Sequence, residues 1–321
     1  MSPNLARKKL LVTAPPFVLI KDEIIPRIDQ SNFDVTWKSG QQLLDEKQLI
    51  ELLPHFDGWI LGDDPCSREV LETAQKRSLR AVVKWGVGTD NIDFDAIDEF
   101  KIRFKNTPGM FGKEVADLAL GYLIMLFRKI LETHHGVLEG KWLKPSGNSL
   151  ENKEIAIIGF GDIGRNLTKR LLACDARVNV YELDNVLTSG QNAIDFLSWP
   201  SRIEEMDALV LACPLTETNK GMIDARILQR MKRSAVIINI SRGKLIKEND
   251  LVTALRNATI AGAALDVFEV EPLPLTSGLR ECSNVIFGTH NASNTKEAVV
   301  RTSLRTLEIM QELLQDKIAI V

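Results

Sequence analysis

No apolar run in these 321 residues approaches the ~20 that cross a bilayer, so a membrane-spanning chain is not expected. Cysteine is scarce. The four present (Cys66, Cys174, Cys213 and Cys282) contain no C-x-x-C, which fits neither a disulfide framework nor a zinc site. No basic stripe exists either: 40 Lys and Arg against 43 Asp and Glu leave a formal charge of −3, and nucleic acid is an unsuitable partner. The adjacent histidines His134 and His135 lack further ligands at metal-binding spacing, so no metal is expected. The N-terminus, Met-Ser-Pro-Asn-Leu-Ala-Arg-Lys-Lys, lacks the apolar stretch of a signal peptide. A soluble, unprocessed protein of the reducing cytoplasm is the expectation. Repeats and low-complexity segments are also missing.

Short β-branched runs alternate with helical stretches. The first series comprises residues 9–13, 33–37, 58–61, 81–84 and 102–104. The second comprises 154–158, 178–181, 208–211, 235–239, 260–265 and 285–287. Such alternation implies βαβ crossovers and parallel sheets, and the length allows two cores. Between the series, Lys113 to Leu138 carries apolar residues at helical spacing over more than one stripe. It is expected to be one long interdomain helix, buried against its own domain and against a partner subunit. A last amphipathic helix, Thr295 to Lys317, is expected to return the chain to its first domain.

The second series opens with Gly159-Phe-Gly-Asp-Ile-Gly164, directly after a strand-like run. In that context the glycines have separate tasks. Gly159 turns the chain off the strand, Gly161 lets a pyrophosphate approach the backbone, and Gly164 lets a helix pack on the sheet. The helix from about Gly161 would present Asp162 and Ile163 in its first turn, with its positive end toward phosphate. Glu182 closes the next apolar run, where a carboxylate accepts from the adenosine ribose and repels a 2′-phosphate. Leu183-Asp-Asn185 adds no base, so NAD is expected over NADP.

Several ionisable residues follow strand-like runs of this half, where open α/β sheets place their ligands: Arg242, Asp266, Glu271 and His290. Histidine can donate a proton near neutral pH, a neighbouring carboxylate favours its protonated form, and an arginine fork matches a carboxylate. Spacing alone leaves bland roles open for each. Cys213, before Pro214, either lines the adenine side of a cofactor pocket or is a small buried apolar residue. Thr216 and Thr218 either touch the cofactor or cap the following helix.

Lys84-Trp-Gly-Val-Gly-Thr-Asp-Asn-Ile-Asp93, Asn106-Thr-Pro-Gly109, Glu114-Val-Ala-Asp117, Pro214-Leu-Thr-Glu-Thr218, Asn239-Ile-Ser-Arg-Gly243, Leu265-Asp-Val-Phe-Glu-Val-Glu-Pro272 and Thr289-His290 occur in one order around the fingerprint. Together they resemble the D-isomer-specific 2-hydroxyacid dehydrogenase family, most of all phosphoglycerate dehydrogenase-like members without a regulatory C-terminal domain. The resemblance implies α/β architecture with two doubly wound parallel-sheet domains and a cleft between them. These are a flavodoxin-like substrate-binding domain (1–107 and 292–321) and a Rossmann NAD-binding domain (108–291). It implies NAD-dependent interconversion of a D-2-hydroxy acid and its 2-oxo acid. In that scheme Arg242 binds the substrate, His290 is the acid/base, and Glu271 orients His290. Asp266 takes the nicotinamide carboxamide; Val87 and Gly88 hold the substrate carboxylate by backbone N–H groups. A homodimer formed through the cofactor domains is also implied.

The chain departs from the family's pattern in three places. Asp162 stands where arginine is common, and Asn291-Ala-Ser-Asn294 replaces a glycine-rich turn. Gly62-Asp-Asp64 stands where the phosphoglycerate enzymes place Arg-Ser, which disfavours a phosphorylated substrate unless Lys84 or Arg68 compensates. Lys84 is therefore a candidate contact for a phosphate or second acid group. Glyoxylate, hydroxypyruvate, phosphoglycerate and other 2-oxo acids remain open. A reading from another class is an NAD(H)-sensing interaction protein of the corepressor type, which would bind the dinucleotide with little turnover. Formate or phosphite oxidation is a third; formate enzymes typically carry glutamine where this chain has Glu271.

Overall fold

A computed structural model describes residues 7–28, 33–38, 44–182 and 194–315, and of Arg27 only the backbone. The chain forms two compact units, Met1–Met110 with Asn294–Val321, and Phe111–Ser293.

The first unit is built on strands β1 (Lys8–Val12), β2 (Phe33–Trp37), β3 (Gly58–Leu61), β4 (Ala81–Lys84) and β5 (Arg103–Lys105). They pair in parallel in the order β2-β1-β3-β4-β5, the flavodoxin-like arrangement. Helices α1 (Pro15–Leu19), α2 (Lys21–Ile28), α3 (Glu46–Leu52), α4 (Arg68–Gln75) and α5 (Phe94–Glu99) occupy the crossovers. The inner strands β3 and β4 are buried at every position, as a sheet covered on both faces requires. Trp59, fully buried on β3, would strand its indole N–H without a partner; it donates to Thr13 Oγ1 at 2.9 Å.

The second unit opens with α6 (Gly112–Phe127) and α7 (Ile130–Leu138), two helices where the sequence reading expects one. The break is backbone: Lys129 takes a left-handed conformation, φ 52°, after Arg128 and Lys129 close the last turn of α6 onto Ile124 and Leu126. No glycine or proline stands there to mark it. The parallel sheet runs β12-β11-β10-β9-β6-β7-β8. Its strands are β6 (Glu154–Ile158), β7 (Arg177–Tyr181), β8 (Ile194–Leu197), β9 (Ala208–Leu211), β10 (Val236–Asn239), β11 (Gly262–Leu265) and β12 (Val285–Phe287). That is a Rossmann order with one strand added at the far edge. The half-buried edge strand β8, Ile-Asp-Phe-Leu, was not among the expected strands. The helices of this half are α8 (Asp162–Leu172), α9 (Ala225–Arg230) and α10 (Glu248–Arg256).

The chain then returns to the first unit as α11 (Lys296–Leu314), capped by Thr295, whose hydroxyl accepts from Ala298 N. Lys317, the expected helix end, lies outside the described residues. Trp85 Nε1 donates to Ser303 Oγ at 3.0 Å, Lys105 pairs with Glu312 at 3.1 Å, and Arg301 donates to the Met110 carbonyl.

Candidate active site

Pairing in the second sheet sets Ile158 level with Tyr181 and Leu211, Leu211 with Asn239, Asn239 with Leu265, and Leu265 with Phe287. Six strands therefore end in one row. The residues that follow (Gly159, Glu182, Ala212, Ile240, Asp266 and Gly288) form the carboxyl edge where such sheets bind ligands. The order reverses between β6 and β9, and the fingerprint stands at that switch.

Gly159 has φ +95°, and a Cβ on it would come within 2.9 Å of the Ala212 carbonyl and Cys213 Cα. Gly164 abuts the preceding turn: its Cβ would lie 2.2 Å from the Gly159 carbonyl oxygen. Gly161 is different, because a Cβ there would meet no protein atom within 4 Å. Packing among the described residues does not require that glycine, and the open space there is what close approach of a ligand to the backbone would need. Gly161 is also the N-cap of α8 and caps nothing with a side chain, so the first N–H groups of the helix face the position a pyrophosphate would take. Asp162 directs its carboxylate sideways, accepting from Asn166 Nδ2 at 3.0 Å and packing against Gly112 at the start of α6. Glu182 accepts from Phe160 N at 2.8 Å, which holds the carboxylate beside the glycine turn. Residues 183–185 lie outside the described residues. Donor set and shape fit a dinucleotide.

On the other side of the switch, Cys213 is buried and its thiol is pushed up to about 11 by burial, which marks it as an apolar wall rather than a reactive group. Asn219 Nδ2 donates to the Pro214 carbonyl at 2.8 Å, shaping the turn that carries Thr216 and Thr218, whose hydroxyls share a 3.0 Å bond.

The ionisable residues meet through a chain of contacts. His290 Nδ1 and Glu271 Oε2 are 2.7 Å apart, both side chains about one-third exposed (37% and 34%). The other carboxylate oxygen of Glu271 accepts from Phe268 N at 2.8 Å, so the carboxylate is fixed from both ends. Phe268 packs in turn on Gly243, where a Cβ would collide with its backbone at 1.8 Å. Arg242 precedes that glycine, donating from one guanidinium nitrogen to the Ser241 carbonyl at 2.7 Å. Asn239, wholly buried at the end of β10, braces this turn by donating to the Arg242 carbonyl at 2.9 Å and accepting from Ser241 N at 3.1 Å. Ser241 Oγ donates to the Cys213 carbonyl. The sequence reading did not assign Asn239 a task, although an amide ending an otherwise apolar strand was a signal.

Asp266 is 1% exposed, and its oxygens accept from Asn291 N at 3.2 Å and Ala292 N at 2.9 Å, while its carbonyl accepts from His290 N at 2.6 Å. The loop that replaces the glycine-rich turn is thus clamped by this residue. Tyr122, beside it across Gly288, has its phenol pushed up to about 12, first by burial and then by the Asp266 charge.

In the first unit the matching edge carries Thr13, Gly62–Asp64 and Trp85–Gly88. Asp64 is fully buried, accepting from Thr13 Oγ1 at 2.6 Å, Gly62 N at 3.1 Å and Leu44 N at 3.2 Å. Burial raises its pKa above the usual carboxylate value, against the lowering effect of those bonds. Lys84, 3% exposed, is held by Asp63 and the Gly62 carbonyl, and Arg68 by Glu99 at 2.7 Å. Val87 is half exposed, and its carbonyl accepts from Asn106 Nδ2 at 2.8 Å. The rings of His134 and His135 lie tilted to one another on α7, centroids 5.6 Å apart, and among the described residues no group of three or more His, Cys, Asp or Glu could hold a metal ion.

A sequence model described as "D-isomer specific 2-hydroxyacid dehydrogenase, NAD binding domain" matches residues 120–292. The chain belongs to the D-isomer specific 2-hydroxyacid dehydrogenase family. As a member it is an NAD-dependent oxidoreductase with the family's two parallel-sheet α/β domains. It is 34% identical to a glyoxylate reductase of Korarchaeum cryptofilum over 275 residues, 83% of this chain and 81% of the relative. It is 32% identical to a D-3-phosphoglycerate dehydrogenase of Synechocystis over 93% of this chain and 55% of that longer relative. In structure it resembles the TT0316 protein of Thermus thermophilus, with TM-score 0.85 and 28% identity over 95% of this chain and 96% of the other. Among the described residues of this dehydrogenase no helix is long and apolar enough to cross a membrane.

Proposed function

We propose that the chain reduces small 2-oxo acids to D-2-hydroxy acids and runs the reverse oxidation, with glyoxylate and hydroxypyruvate as its type of substrate. The observation that carries this reading is the 2.7 Å pair of His290 Nδ1 and Glu271, anchored through Phe268 N at the carboxyl edge of the cofactor sheet. With Nδ1 engaged by the carboxylate, proton exchange with the substrate oxygen falls to Nε2. His290 donates that proton during reduction and removes it during oxidation. Arg242, on a turn braced by Asn239, receives the substrate carboxylate on its planar fork and polarises the adjacent carbonyl. In the first unit the backbone N–H groups of Val87 and Gly88 hold the carboxylate; among the described residues no hydrogen bond takes either group.

Bound NAD supplies the donor or acceptor of the hydride. Residues 108–291 would hold it: the turn Gly159–Gly164, with the backbone of Asp162 and Ile163, at the pyrophosphate, and Glu182 at the ribose. Cys213, Pro214 and Thr218 would line its flank, and Asp266 would meet the carboxamide. Residues 1–107 and 292–321 form the substrate-binding domain in this scheme. A cytoplasmic location fits four cysteines that are all unpaired thiols. A homodimer fits the exposed apolar surface of α7 and the segment after it.

The test is loss of NADH absorbance with glyoxylate, hydroxypyruvate, pyruvate and larger 2-oxo acids, using His290→Ala as the blank. Oxidation that depends on His290 supports the reading. Tight NADH binding without reduction of any acid would overturn it and favour an NAD(H)-sensing role.

A further inference from the structure

Lys84 ends β4 and leads into the loop Trp85–Gly88; its methylene stem lies 3.4 Å from the place a Cβ on Gly86 would take. Its side chain therefore packs against the start of the loop whose later residues, Val87 and Gly88, are proposed to hold the substrate carboxylate. An unpaired charge in so buried a place is costly, and the fold supplies an answer from the neighbouring strand. Leu61 at the end of β3 is level with Lys84, so the next residues, Gly62 and Asp63, reach across the row. The Gly62 carbonyl accepts from Nζ at 2.5 Å and Asp63 Oδ1 accepts at 2.6 Å.

The two adjacent aspartates thus have opposite placements. Asp64 turns inward and ties the loops after β1 and β3 together through Thr13 and Gly62. Asp63 turns outward at the carboxyl edge of the sheet, its side chain 62% exposed. Arg68, at the start of α4, is matched by Glu99 at 2.7 Å. Neither Lys84 nor Arg68 therefore offers an unmatched positive charge to a second anionic group.

Resting on the 2-oxo acid reading above, we propose that Asp63 is a specificity-determining residue: by matching the charge of Lys84 beside the Trp85–Gly88 loop, it restricts the enzyme to 2-oxo acids with one negative charge and rejects those bearing a phosphate or second carboxylate. Similarity to relatives does not make this choice, since a glyoxylate reductase and a phosphoglycerate dehydrogenase are nearly equally identical to the chain. The repulsive element is local and removable.

Hydroxypyruvate and 3-phosphohydroxypyruvate differ only by the phosphate, so the ratio of their kcat/KM values with NADH reads the discrimination directly. Wild type is expected to favour hydroxypyruvate by at least about tenfold, and Asp63→Asn to narrow that ratio at least about tenfold. Asp63→Glu, which keeps the charge, should retain the preference, and Asp63→Ser is a second neutral variant should the asparagine variant fold poorly. A wild-type enzyme that uses the phosphorylated acid as well as hydroxypyruvate overturns the proposal without any variant. An unchanged ratio in a folded neutral variant does so too. Absence of NADH oxidation by wild type with every 2-oxo acid overturns instead the reading on which this rests.

Discussion

His290 occupies a left-handed backbone conformation, φ 54°, that costs a non-glycine residue on the order of 1–3 kcal/mol. The three bonds from Asp266 to the N–H groups of His290, Asn291 and Ala292 offset that cost and aim the imidazole at Glu271. His290→Ala should therefore lower kcat at least ~100-fold, as loss of a general acid does, while NADH affinity measured by fluorescence titration changes little. Unchanged turnover would remove the histidine from the mechanism. In the proposed cofactor site Glu182, held beside Phe160 N, would reject a 2′-phosphate by charge. Glu182→Ser should raise kcat/KM with NADPH relative to NADH, and a continued strict preference for NADH would locate the selectivity elsewhere. Arg242, Glu271 and His290 stood out in the sequence because each lies in a run of residues with a known order, and the structure brings His290 and Glu271 to 2.7 Å. The pairing of Lys84 with Asp63 was not, because it joins positions far apart in sequence through the register of β3 and β4. The double engagement of Asp266 was hidden for a similar reason: a motif names the residue but not which backbone it grips.

Elements were legible to the degree that burial writes itself into a strand. β3, β4, β9 and β10 are buried at every position, and their bounds emerge from continuous apolar runs. β8 pairs on one side only and is half buried, so its four residues carry no such run. The break between α6 and α7 was invisible because a lysine takes the conformation that glycine usually marks. The join of β6 to α8 is the reverse case, in which sequence and geometry agree closely. Gly164→Ala would drive a methyl to 2.2 Å from the Gly159 carbonyl, a backbone atom that cannot swing aside. That substitution should cost about 1–3 kcal/mol by overpacking and weaken NADH binding at the same time. Thermal melting with and without NADH reads both effects. A variant with wild-type melting temperature and wild-type affinity would show that α8 does not depend on this contact.

Considered as a molecule with two cores, the protein leaves one stretch of its second unit poorly covered. On α7, Ile130, Val137 and Leu138 are exposed, and after the helix Trp142 is 81% exposed on a segment with no regular structure. That segment is nevertheless held in place: Leu143 packs on Gly136, and Asn148 N donates to the Phe127 carbonyl at 2.8 Å. Several apolar residues of α6, in the stretch expected to be buried against its own domain and a partner subunit, are only half buried: Leu118, Leu120, Ile124 and Leu126. These exposed apolar residues, on a chain otherwise rich in mixed charge, are the surface on which the proposed homodimer would form. A second copy of the chain is the occupant that the dimer reading requires. Trp142→Glu places a charge in the middle of that surface, where it has no partner and cannot be desolvated cheaply. Light scattering should then give half the wild-type mass at micromolar concentration, with the melting temperature lowered by loss of association. A Trp142→Glu variant of unchanged mass would mean that the copies meet elsewhere, or that the apolar segment folds back on its own subunit.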